Sequence, residues 1–106
     1  MQLFNLHTHT NFSDGKSTAE EVVQEAIRQG LKILGFSDHS PVPFENSFAI
    51  KNDEVQNYID TINSLKEKYK DQIKIYCSME MDFIPGIVKN FKETKEKYGL
   101  DYLIGS

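Results

Sequence analysis

Short apolar runs alternate with amphipathic stretches along the whole chain. "MQLFNLH", residues 1–7, carries Leu3, Phe4 and Leu6 and has the length of a strand. In "STAEEVVQEAIRQG", Ala19, Val22, Val23, Ala26 and Ile27 recur at i, i+3, i+4, i+7 and i+8, which gathers them on one face of a helix. Either Ser17 with Glu20 or Thr18 with Glu21 supplies a capping box, and Gly30 supplies the stop. "LKILGFS" follows as a second strand. "DEVQNYIDTINSLKEKYK" then lines up Val55, Tyr58, Ile59, Ile62, Leu65 and Tyr69 on a second helical face. "IKIYCSM" alternates Ile73, Ile75, Cys77 and Met79 against Lys74, Tyr76 and Ser78, as a strand does. "GIVKNFKETKEKYG" is a third helix with a weaker pattern in its second half, and "DYLIGS" begins a fourth strand. The order β-α-β-α-β-α-β predicts an α/β fold, a parallel sheet with right-handed crossovers. Periodicity does not separate a barrel from an open doubly wound sheet. The one long irregular stretch is "SPVPFENSFAIKN", where Pro41 and Pro43 exclude regular structure. It reads equally as a functional loop or a solvated surface loop.

The polar residues gain meaning from this frame. In parallel α/β folds the carboxyl ends of the strands converge on one face, where active sites sit. The first strand ends in His7 and His9, the second in Asp38 and His39, the third in Met79-Glu80-Met81-Asp82. All three histidines of the chain therefore belong to one region. A His-x-His pair on extended backbone projects both rings to the same side, because the strand period is two. Imidazoles with carboxylates form divalent-cation sites for zinc, iron or manganese. Glu80 is placed to bridge two such ions, and closely spaced ions clamp the oxygens of a transferring phosphoryl group. The bland readings are strand histidines with satisfied hydrogen bonds, and a loop role for His39. Asp38 reads as a turn or helix cap, or as a group that orients a ligand histidine. Asp14 in "SDG" would be a turn residue in most sequences, but it stands close to the histidine pair and joins the ligand candidates. Asp82 is a weaker candidate than Glu80. Cys77 falls on the apolar face and reads as core. Ser13, Ser37 and Ser40 lack a nucleophile-elbow context, and no glycine-rich dinucleotide loop follows the first strand.

Composition narrows the partners. The 106 residues are 39% apolar and 26% charged with net charge -4, which suits one soluble globular domain or part of one and gives no footprint for nucleic acid. No apolar run approaches the ~18 residues that span a bilayer, and no signal peptide is visible. A single cysteine excludes an intrachain disulfide and accords with a cytoplasmic location.

With these residues in place, "HTHTNFSDGKSTAEEVVQEAIRQGLKILGFSDHSP" resembles the opening of the PHP phosphoesterases, named for polymerase and histidinol phosphatase. Their first motif is His-x-His, matched by His7 and His9. Their second ends in Asp-His, matched by Asp38 and His39. Their third supplies a bridging glutamate after strand three, matched by Glu80. "SDHSPVPF" and "EMDFIPG" are similar to the histidinol-phosphate phosphatase branch. The resemblance implies a distorted, TIM-like (β/α)7 barrel, of which this chain would be the N-terminal half. It implies a centre of two or three divalent ions (zinc, manganese or iron) and hydrolysis of a phosphomonoester by metal-activated hydroxide. For the named branch the substrate is L-histidinol phosphate, in histidine biosynthesis. His7, His9, Asp14, His39 and Glu80 would then be metal ligands, with Glu80 also holding the attacking hydroxide and Asp38 behind them. Asp14 departs from the family, where other branches often use histidine.

The family's fourth motif follows strand four as Gly-Ser-x-His, and Gly105-Ser106 are the last residues here. Residues 1–106 are therefore expected to be a partial PHP domain, truncated before the fourth ligand motif. Alone it should be marginal in stability, prone to self-association and inactive, because it cannot close a barrel. Two readings compete with the histidinol-phosphate phosphatase. One is a PHP phosphoesterase acting on nucleotides or nucleic acid, which the acidic balance disfavours. The other is a non-catalytic metal-binding fragment.

Overall fold

The computed structural model describes residues 4–42, 46–81 and 91–105. Pro43, Asp82, residues 86–90 of the third expected helix, the side chain of Phe91, and Ser106 lie outside the described residues. The elements are β1 (Phe4–Thr8), α1 (Ala19–Arg28), β2 (Ile33–His39), α2 (Val55–Lys68), β3 (Lys74–Met81), α3 (Phe91–Tyr98) and β4 (Tyr102–Gly105). One turn of 3-10 helix, Asn52–Glu54, leads into α2. The expected alternation is what forms. β2 ends at His39 and β3 at Met81, so the polar ends expected for these strands pair in the ladder. At α1 the capping box is the Thr18–Glu21 pair, with each side chain bonded to the other's backbone N–H.

The four strands are parallel and ordered β1-β2-β3-β4, so each pairs with its neighbour in sequence. A doubly wound sheet reverses direction from its first strand, whereas this monotonic order is that of a barrel wall. The buried apolar residues of α1 and α2 join those on one face of the sheet in a single core. Val23, Tyr58 and Ile62 from the helices meet Leu34, Phe36, Ile75, Cys77 and Met79 from the strands. Removing such side chains from water stabilises by roughly 1.5–3 kcal/mol each. The buried Tyr58 hydroxyl donates to the Ser78 carbonyl (2.6 Å) and accepts from the Asp38 N–H (3.3 Å), tying α2 to β2 and β3.

The opposite face is strongly curved. On β4, the Tyr102 hydroxyl donates to the Leu6 carbonyl of β1 at 2.5 Å. In a flat sheet those two strands would stand about 14 Å apart, farther than a tyrosine reaches, so the sheet must curl toward a barrel. The phenol crosses over Gly35, where a Cβ would collide with it. On the β1 edge, Phe4 and Leu6 are exposed. No helix among the described residues is long and apolar enough to cross a membrane.

Cys77 is 1% exposed, and burial pushes its thiol up to about 12. Folded protein should therefore react with a thiol-alkylating reagent on the order of 10³-fold more slowly than unfolded protein, the ratio of thiolate fractions. Equal rates with and without denaturant would show that this core is not formed.

Candidate metal centre

Three strand ends bring the candidate residues together, each for a local reason. In β3, Glu80 pairs in register with His39, the last residue of β2, and paired residues in adjacent parallel strands face the same way. Asp38 therefore faces the helices beside Met79, while His39 faces the curved side. β1 needs an extra device. Asn5 pairs with Leu34 and Thr8 with Phe36, so three steps on β1 match two on β2. The extra residue is a bulge that reverses the phase of the strand. Strict alternation from Asn5 would aim His7 and His9 at the helices, and the bulge aims them at Glu80 instead.

Asp14 arrives on the tight turn after β1. The N–H groups of Ser13 and Gly15 both donate to the Thr10 carbonyl, at 3.1 and 2.9 Å. Gly15 must lack a side chain, because a Cβ would stand 2.7 Å from the His9 carbonyl oxygen.

The geometry around Glu80 is dense. His7 Nε2 touches Glu80 Oε1, and His9 Nε2 lies 3.6 Å from the same oxygen. The other oxygen, Oε2, lies 3.1 Å from His39 Nδ1. Asp14 sits across from Glu80, with Oδ1 at 2.7 Å from His9 Nδ1 and Oδ2 at 3.1 Å from His39 Nε2. Two donor groups result, His7–His9–Glu80 and His9–Asp14–His39, each with ligand atoms within 4.8 Å of one another. The donor chemistry fits divalent cations. His9 Nε2 is buried without a hydrogen-bond partner, and its 3.6 Å from Glu80 is too long for a hydrogen bond. Two ligands at ~2.1 Å on a tetrahedral ion are about 3.4 Å apart, so this pair is spaced like co-ligands. At Asp14, burial works to raise the carboxyl, but the hydrogen bond and charge of His9 and the charge of His39 outweigh it and leave the group lowered.

Asp38 stands behind this arrangement. It is fully buried, and its Oδ1 accepts from the Thr10 N–H (2.8 Å) while Oδ2 accepts from the Thr10 hydroxyl (2.5 Å). Burial pushes its carboxyl up to about 6, against the pull of the Thr10 bonds and of His9. Asp38 holds the backbone directly after His9 through the Thr10 N–H and hydroxyl. Thr10, Gly15 and the bulge were not singled out from the sequence. A glycine after "SD" was the one local signal, and it was read as an ordinary turn.

A family model for the PHP domain matches residues 5–106. The chain belongs to the PHP domain family. Histidinol-phosphatase of Bacillus subtilis is 30% identical over 93 residues, which cover 79% of this chain and 35% of that protein. Histidinol-phosphatase of Lactococcus lactis is 31% identical, covering 100% of this chain and 39% of its own length. The solved structure of the Lactococcus lactis histidinol phosphate phosphatase, complexed with zinc, L-histidinol and phosphate, superposes with TM-score 0.73 at 29% identity, over 98% of this chain and 39% of that one. The structure of hisK from Listeria monocytogenes superposes at TM-score 0.80 with 20% identity, over 96% and 43%, and shows the shared fold. The chain spans 32–41% of the length of the curated relatives it matches.

Asp38→Ala strands the Thr10 N–H and hydroxyl. At roughly 1–3 kcal/mol per buried unsatisfied group, stability should fall by about 2–6 kcal/mol in urea unfolding. Asp38→Asn, which keeps an acceptor, should lose less. Equal stability of all three would remove Asp38 from the support of the loop.

Proposed function

We propose that this PHP chain is part of a metal-dependent phosphomonoester hydrolase acting on L-histidinol phosphate, and that residues 1–106 are the N-terminal portion of its catalytic domain. The observation that carries this reading is the position of Glu80, whose two oxygens contact His7 and His39, one residue from each of two ligand groups that share His9. The zinc, L-histidinol and phosphate in the Lactococcus lactis relative support both the cation and the substrate class.

His7, His9 and Glu80 would hold one ion. Asp14 and His39 would contribute to another, and residues outside 1–106 would complete the set. Zinc suits this mixture of imidazole and carboxylate, and manganese or iron are accepted by similar sets. A divalent ion bound there supplies Lewis acidity toward phosphoryl oxygens and lowers the pKa of a bound water. The chain's own contribution is positioning. Glu80, with its side chain 9% exposed, fixes the spacing of the two groups from the sheet floor. His7, with its side chain 53% exposed, faces the open mouth through which an anionic ester would enter. Asp38 and Thr10 lock the backbone that carries His9. The proposal includes a reducing cytoplasmic setting, in which Cys77 stays a free thiol.

Phosphate release from L-histidinol phosphate, nucleoside monophosphates and single-stranded DNA should be measured in parallel on the full-length protein. Turnover should be confined to histidinol phosphate and lost on chelation. Glu80→Gln should lower kcat by on the order of 10²–10³ or more. Nuclease or nucleotidase activity without histidinol phosphate turnover would overturn the substrate, and metal bound at stoichiometry with no hydrolysis of any ester would overturn the enzyme.

Residues 1–106 expressed alone should bind divalent ion without turnover. Ion at 100-fold above its Kd should raise unfolding stability by about 2.7 kcal/mol. A thermal transition unmoved by zinc, manganese and iron would argue against the ligand set.

A further inference from the structure

The peptide unit between Leu6 and His7 sits inside the β1 bulge, where the ladder to β2 is interrupted. Its two polar ends are both held by side chains. The His7 N–H donates to Asn5 Oδ1 at 3.0 Å, and the Leu6 carbonyl accepts from the Tyr102 hydroxyl at 2.5 Å. A third side chain closes the bulge from the other strand, as the Thr8 hydroxyl donates to the Gly35 carbonyl at 2.6 Å. Rotation of that one peptide plane would swing His7 away from Glu80. Asn5 and Thr8 are local to the bulge, whereas Tyr102 comes from 96 residues away on β4. Its path is kept clear by Gly35, and its ring packs edge-on against Tyr76 with centroids 6.4 Å apart.

We propose that Tyr102 is a positioning residue for the metal centre: its hydroxyl clamps the Leu6–His7 peptide and so sets the aim of the His7 ring at the ion shared with His9 and Glu80. This rests on the metal-centre reading above. The role fits the groups involved. Within residues 1–106, the His7 side chain is the most exposed of the three imidazoles. Burial, and then the neighbouring Cys77 and Asp101, push the Tyr102 phenol up to about 12, so it remains a donor at physiological pH. The clamp also makes one residue report on another: β4 must be in register for β1 to present its ligand.

The test compares the full-length protein with Tyr102→Phe and with Gly35→Ala, whose Cβ would occupy the phenol's path and also stand 3.0 Å from the Leu6 Cα. Cobalt(II) is titrated as the probe, read by its visible absorption and by the shifted histidine ring signals, which are assigned with His7→Gln and His39→Gln. Tyr102→Phe should weaken cobalt binding at the His7 group roughly tenfold, the usual scale for groups behind a ligand. It should change the His7 signal while leaving the His39 signal in place, and Gly35→Ala should reproduce that pattern. Wild-type affinity and an unshifted His7 signal in Tyr102→Phe would overturn the role. Equal weakening at both groups, tracking a fall in Tm, would also overturn it, by making Tyr102 a general structural residue. Failure of the wild-type protein to bind cobalt would overturn the metal centre itself, and the positioning role with it.

Discussion

The site depends on one nearly buried carboxylate surrounded by imidazoles. Removing a charged Glu80 from water is costly unless opposite charge compensates it. Among the described residues, its ion-pair neighbours are His7, His9 and His39, with Asp14 on the far side of two of those rings. Imidazole nitrogens and carboxylate oxygens are donors that a shared cation satisfies together, so the cluster asks for a cation. That requirement explains why the carboxylate sits at the floor of the curved face, where its two oxygens diverge toward two groups.

Parity along the strands divides the labour. On β2 and β3 the residues facing the helices are Leu34, Phe36, Ile75, Cys77 and Met79, and they make the core. The residues facing the other way include Ser37, His39, Ser78 and Glu80. Asp38 is the exception: it lies on the helix side and is charged or protonated inside the core. It is tolerated there because Thr10 provides two donors, and the position lets a core-side residue fix a loop that serves the opposite face.

The sequence made the alternation of elements readable because the amphipathic periods of α1 and α2 are strong and the apolar face of β3 is clean. The ligand candidates were readable because histidine is scarce and each lies at a strand end. Other features were not. The bulge in β1 leaves no mark in "FNLHTH", since a register shift depends on the partner strand. The partnership of Tyr102 with Leu6 joins residues whose neighbourhoods are unremarkable, and it exists only once the sheet curls. Asp38 stood next to a histidine in sequence, but adjacency in a strand means opposite faces.

Curvature ties these observations together. The His7, His39 and Glu80 side chains come from three strands of a parallel sheet, and in a flat sheet those on β1 and β3 would project side by side about 10 Å apart. Curling brings the tips inward and lets β1 and β4 be bridged by a single side chain. Phe4 and Leu6 lie exposed on the β1 edge of the same wall. Strand order and curl act as one geometry: the bend that converges the ligand tips also brings the Tyr102 hydroxyl to the Leu6 carbonyl.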